Sequence, residues 1–235
     1  IAVAIEQLTN SAKLKNNFLN NEEKVLKKYS WQTSASKILN LFNLMQNIYP
    51  NKPALTNYPI NDLAKNRWSP RLFANRPIEQ KKIMSLFEAA RWAPSSYNDQ
   101  PWQYYYAMRE NQTGFKKLFD LLGEFNQGWA KSAAMLIIIF ARKNFAYNNQ
   151  FNHNYAYDTG AATAMIILEA EHQGLKTHQM IGFDLTKAYE AVELPKTEYE
   201  VMAMMAVGYP ATNENLQTQA KDFIKQELGE RTRKD

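Results

Sequence analysis

Apolar positions follow different periods along this chain, and the pattern changes near residue 57. Before that point Ile5, Leu8, Leu14, Phe18, Val25 and Leu26 trace a ragged helical period, and Ile38, Leu39, Leu41, Phe42, Leu44 and Met45 a clearer one behind Ser34, a residue type that caps helices. Pro50, Asn51, Pro53, Asn57 and Pro59 then break the period and read as a linker. Further on, helical and strand-like segments alternate. Pro77 suits the first position of a helix, and Ile83, Leu86, Phe87 and Ala90 give its stripe as far as Ala93, before Pro94. Gln103 to Met108 is aromatic-rich and predicts a strand. Phe115, Leu118, Phe119 and Leu122 predict a short helix closed by Gly123. Ala133 to Ala141 is apolar at every position and β-branched in its centre, which predicts a strand covered on both faces. A long helix is predicted from Tyr155 to Gln173, ended by Gly174, then strands at Leu175–Met180 and Val201–Gly208 with a helix near Lys187–Ala191 between them. The class is mixed α and β, with a central sheet covered by helices.

Composition narrows the functions open to the chain. Its 235 residues allow one domain with additions or two small ones. The longest apolar run has nine residues, against the roughly 20 that a membrane-spanning helix needs, so no membrane partner is expected. There is no cysteine, hence no disulfide framework and no thiolate nucleophile, and a reducing, cytoplasmic setting is the expectation. The net charge of +5 invites a nucleic-acid reading, but residues 1–57 hold seven lysines against three glutamates while the rest carries 21 basic and 20 acidic residues. A nucleic-acid binder concentrates positive charge on its folded face, so none is expected here. The chain starts at Ile1 and ends in a charged run, Gly229 to Asp235, which reads as a piece of a longer chain.

Two stretches could carry chemistry. Arg67-Trp68-Ser69-Pro70-Arg71 sets two guanidinium groups around a hydroxyl, and such donors suit phosphate or carboxylate oxygens; two surface arginines are the plainer alternative. Pro94-Ser95-Ser96-Tyr97-Asn98-Asp99-Gln100-Pro101 offers neutral donors and acceptors suited to a polar heterocycle or a ribityl chain, or is simply a helix-to-strand loop. His153, His172 and His178 show no metal-ligand spacing, so no metal is expected. Phe151, Tyr155 and Tyr157, with Phe125 and Trp129, could form a stacking pocket or pack a core.

Arg67-Trp-Ser-Pro-Arg71, Ala93-Pro-Ser-Ser-x-Asn-x-Gln-Pro-Trp102, His178-Gln-Met-Ile-Gly-Phe-Asp184 and Val207-Gly-Tyr-Pro210 come in one order, and together they resemble the nitroreductase family of FMN-dependent oxidoreductases. The resemblance implies an α+β, nitroreductase-like fold with a mostly antiparallel sheet flanked by helices over residues 58–235, behind a helical extension and linker at 1–57. It implies that Arg67, Trp68, Ser69 and Arg71 bind FMN, with Arg231 and Arg233 on the phosphate. Asn126 would hydrogen-bond the flavin ring, and Ile181 and Gly182 would present backbone N–H groups near N5 and O4. Pro94, Ser95, Ser96 and Asn98 would reach the FMN of the other subunit in a homodimer, and Gln100 would also bind the cofactor. Arg142, outside these motifs, is expected to matter little. The implied reaction passes hydride from NADH or NADPH through FMN to a small planar electron acceptor, a nitroaromatic or a quinone, in ping-pong order. Since the flavin carries the redox step, no catalytic histidine or cysteine is required. Flavin-dependent dehydrogenation or dehalogenation on the same fold stays open. Family members continue past the point where this chain ends, into a segment that embraces the partner. Ala4-Ile-Glu-Gln-Leu8 and Lys27-Lys-Tyr-Ser-Trp31 are similar to the C-terminal tail of GT-B glycosyltransferases, which leaves a non-catalytic flavin-binding module fused to such an enzyme as the other reading.

Overall fold

A computed structural model describes residues 11–13, 52–211, 225, 227–229 and 231–233. The chain divides into two units, Ile1–Ile48 and Tyr49–Asp235. Only Ser11–Lys13 of the first unit are described, so the expected helices of residues 1–51 and the two glycosyltransferase-like stretches lie outside the described residues.

Within the second unit the elements are α1 (Asp62–Asn66), α2 (Gln80–Arg91), β1 (Trp102–Met108), α3 (Gln112–Phe119), α4 (Glu124–Ala130), β2 (Met135–Arg142), α5 (Tyr155–His172), β3 (Lys176–Met180), α6 (Leu185–Val192) and β4 (Tyr199–Gly208). The four strands form one sheet in the order β1-β2-β4-β3, with every neighbour antiparallel. The fold is α+β, an antiparallel sheet flanked by helices, as the motifs imply.

β2 is the centre of the core. Leu136, Ile138 and Phe140 point to one face, where Phe115 and Leu118 of α3 and Ala188 and Tyr189 of α6 cover them. Met135, Ile137 and Ile139 point to the other, against Ile83, Leu86 and Ala90 of α2 and Ala162, Ile166 and Ala170 of α5. This period of two on a strand buried on both sides is what a continuous apolar run encodes.

Boundaries depart from the sequence pattern for local reasons. α2 starts at Gln80 rather than at Pro77, because Glu79 stays extended and its carboxylate is held by Arg76 and by the Tyr209 hydroxyl. α4 was not predicted: seven residues carry too short a stripe, and Gly128 lowers its helix propensity. The chain also packs closely at Gly208, where a Cβ would come within 2.8 Å of the Phe73 ring. That contact lets Phe73 bridge to Pro210 and brings the chain after Arg71 alongside the end of β4.

Candidate functional site

The segment after α1 lies on the β3 edge of the sheet. The Pro70 carbonyl hydrogen-bonds Nδ1 of His178 on β3 at 2.8 Å, which fixes the turn Ser69-Pro70-Arg71. Burial holds the His178 imidazole below its ordinary pKa, the Pro70 carbonyl opposes that shift, and the Arg71 charge reinforces it. A neutral ring with its proton on Nδ1 suits the contact. Beneath it lies Trp129 of α4, ring centroids 4.5 Å apart. Trp129 donates Nε1–H to the Asn126 side-chain oxygen at 3.2 Å, and the Asn126 amide donates to the Gly182 carbonyl at 3.0 Å. Gly182 is required by this contact, since a Cβ there would stand 2.8 Å from Asn126 Nδ2. The sequence alone would keep that space for a ligand; here the chain's own amide fills it. Ile181, beside it, is exposed, as is Phe125, whose ring lies 5.7 Å from the Arg71 guanidinium.

A cluster of cations continues from this turn. Arg67 donates to the Ser69 hydroxyl at 3.3 Å. Arg231 donates to the carbonyls of Lys65 and Lys52 at 2.8 and 3.2 Å, which seats the C-terminal segment against the end of α1. Burial and then the charge of Arg233 push the Arg67 guanidinium down from its ordinary pKa; burial, then Arg67 and Arg233, do the same to Arg231. Glu171 acts against both shifts, but Lys176 already holds its carboxylate at 2.6 and 2.8 Å. Glu227 is buried and accepts the Arg71 backbone N–H. Arg71 Nε is buried with no hydrogen-bond partner among the described residues. Convergent cations fit an anionic group such as the phosphate of FMN, and the unpartnered Arg71 N–H fits a further acceptor on the same ligand. Trp68 differs from its neighbours, because its ring is buried under the Lys52 ammonium at 4.6 Å.

The second stretch folds elsewhere. Ser96 donates its backbone N–H to Asp158 at 2.9 Å, near the start of α5. Glu171, among the cations, lies thirteen residues further along the same helix, and at 1.5 Å per residue the two are about 20 Å apart. The loop of Pro94, Ser95, Ser96, Asn98 and Gln100 therefore lies toward one end of α5 and the Arg67 cluster toward the other. The loop is strained: Tyr97, Asn98 and Gln100 all have left-handed backbones, φ 54°, 54° and 48°, each costing a non-glycine residue roughly 1–2 kcal/mol. The aromatic residues divide in the same way. Trp129 and Phe125 belong to the Arg71 turn, while Phe151 and Tyr155 pack on each other at the start of α5 and Tyr157 is exposed.

Four carboxylates escaped the sequence reading: Asp99, Asp158, Glu171 and Glu227. Asp158 had a signal, because with Ala162, Ile166 and Ala170 it occupies the core stripe of α5, where a charge needs a partner. Asp99 and Glu227 pair over 43 and 156 positions and left none, while Glu171 pairs with Lys176 only five residues on, across the end of α5.

Known proteins were compared with this chain. The model of the nitroreductase family matches residues 64–209, which includes Arg67–Arg71, the 94–100 loop and Gly182 but not Arg231 or Arg233. The nitrobenzene nitroreductase of Ectopseudomonas oleovorans is 39% identical over 46 residues, a fifth of this chain and a fifth of that protein. Among solved structures, an oxidoreductase containing FMN is 28% identical at a TM-score of 0.69, covering 76% of this chain and 89% of its own. A putative NADH oxidase from Clostridium acetobutylicum is 26% identical at 0.54, covering 63% and 87%. A putative nitroreductase in complex with FMN from Desulfovibrio desulfuricans shares the fold at 21% identity and a TM-score of 0.56, covering 67% and 90%. With the family model spanning more than half of its length, this chain belongs to the nitroreductase family.

Proposed function

We propose that this protein is an FMN-dependent oxidoreductase that uses NADH or NADPH to reduce a small planar acceptor, a nitroaromatic or a quinone, and that it works as a homodimer. The observation that carries the reading is the convergence of Arg67, Arg231 and Arg233 at the segment leading to Arg71, whose Nε has no hydrogen-bond partner among the described residues, in a chain of this family. Arg67, Arg231 and Arg233 would hold the phosphate. Arg71 would lie toward the ring, where a guanidinium favours negative charge. Asn126 and the backbone of Ile181 and Gly182 would orient the ring edge. When bound, FMN supplies the two-electron redox chemistry between the nicotinamide and the acceptor. Ile181 and Phe125, both exposed, would give the donor and the acceptor one shared apolar face, which they would occupy in turn, in ping-pong order.

The separation of the two stretches along α5 supports the dimer. Ser95, Ser96 and Asn98 would meet the FMN of another copy, a reading supported by their place beside Asp158, about 20 Å along α5 from Glu171 among the cations. Exposed apolar residues on the α2–α5 layer, Met84, Trp92, Tyr157 and Met165, give that copy a surface to cover. The test is full-length protein purified, heated to release its cofactor and read by absorbance, then assayed for NADH oxidation. One FMN per chain and turnover with a quinone are expected. FAD, or no flavin after reconstitution, would refute the cofactor; bound FMN without turnover would favour a flavin-binding module instead.

A further inference from the structure

We propose that Asp99 and Arg142 are positioning residues: their ion pair clamps the 95–100 loop in the shape that completes a flavin site on a second copy of the chain. The proposal rests on the shared-site reading above. Asp99 sits between two left-handed residues, Asn98 and Gln100, with Tyr97 a third, and none of the three is a glycine. Such a run does not hold itself and needs contacts that over-determine it. Asp99 supplies them. Its Oδ2 accepts from Arg142 Nη2 at 3.0 Å, its backbone carbonyl accepts from the same nitrogen at 3.2 Å, and its Oδ1 accepts the Ala146 N–H at 2.8 Å. Arg142 is fixed in turn by Nε donating to the Asn144 carbonyl at 2.9 Å.

The Asp99 side chain is only 2% exposed, so water cannot replace the guanidinium. Two further bonds close the loop: Ser96 N–H to the buried Asp158, and Gln100 N–H to the Ser95 hydroxyl at 3.1 Å. The sheet does not need the clamp. Trp102 pairs with Ala141, and Arg142 donates its backbone N–H to the Pro101 carbonyl at 2.8 Å, all through main chain. The carboxylate is spent on the loop, and what it presents outward is exposed Asn98 beside Ser95 and Ser96. On this proposal Arg142 matters to flavin affinity, against the expectation that it matters little.

The experiment uses full-length protein at concentrations where association is complete. Asp99→Asn, Arg142→Lys and Asn98→Ala are compared with the parent for FMN dissociation constant and for amide hydrogen exchange without flavin. In Asp99→Asn, the amides of Ser96, Gln100 and Ala146 should lose protection while those of β2 keep theirs. If the loop then holds its shape a tenth of the time, the FMN dissociation constant rises about tenfold. Arg142→Lys keeps the charge but not the paired donors, and should fall between the two; it carries the test if Asp99→Asn does not fold. Unchanged loop protection would refute the clamp. Lost protection with unchanged FMN affinity would refute the positioning role. An unchanged affinity in Asn98→Ala would remove the loop from the flavin, overturning the shared-site reading and this proposal together; a weakened Asn98→Ala beside a normal Asp99→Asn overturns this proposal alone.

Discussion

Replacing Gly182 with alanine should unlatch α4 from the chain after β3. The backbone at Gly182 is in an ordinary region, so alanine brings no conformational penalty. Its cost comes from one contact, the new Cβ at 2.8 Å from Asn126 Nδ2. The amide must move, which breaks its 3.0 Å bond to the Gly182 carbonyl and draws its oxygen away from Trp129 Nε1. Two neutral hydrogen bonds at about 0.5–1.5 kcal/mol each give roughly 1–3 kcal/mol. Asn126→Ala removes the same two bonds and should cost a similar amount. In the double variant there is no amide to displace, so Gly182→Ala should add almost nothing. Urea unfolding of the four proteins gives the cycle, and the coupling energy should approach the cost of Gly182→Ala alone. Additive costs, within about 0.5 kcal/mol, would show that the glycine is needed for some other reason.

Three further outcomes follow from the same geometry. Arg67→Ala and Arg231→Ala should each weaken FMN by roughly 1.5–3 kcal/mol, the value of a charge-assisted bond, and leave riboflavin binding nearly unchanged; equal losses for both ligands in titrations would mean the cluster does not hold the phosphate. Because burial depresses His178 in the folded state, its neutral form stabilises the fold fully above the ordinary histidine value of about 6.5, and that contribution is lost as pH falls through the lower folded value. Thermal unfolding of His178→Gln should therefore lose less stability below pH 6.5 than the parent, and parallel curves would contradict this. Dilution should weaken FMN binding and added FMN should resist dissociation in sedimentation, because a ligand held only by the dimer pulls the equilibrium toward it; affinity independent of concentration would count against a shared site.

Legibility in the sequence followed the range of the interaction. β2 was readable because its neighbours on both faces require apolar residues at every position from Met135 to Ala141. α5 was readable from its length, within one residue at its end. α1 and α4 were not, since five and seven residues hold no full stripe. In the candidate site, the local motifs Arg67–Arg71 and Pro94–Gln100 stood out by resemblance, and so did Gly182. The partners that give them shape did not. Glu227 meets Arg71 across 156 positions, and Arg142 meets Asp99 across 43. Pairings of that kind depend on the sheet order, which brings Arg142 beside the start of β1, and no local pattern carries it.

The central claim, a flavin site built from two chains, is tested most directly by mixing two defective proteins. Arg71→Ala spoils the cation side of the site and Asn98→Ala spoils the loop side, so neither should bind FMN tightly alone. After mixing equal amounts under conditions where subunits exchange, half of the dimers are mixed, and each mixed dimer holds one intact site. Titration should then recover tight FMN binding at about one quarter of all sites, as two-fold symmetry requires. Recovery of none, with subunit exchange verified, would show that each chain binds its flavin by itself.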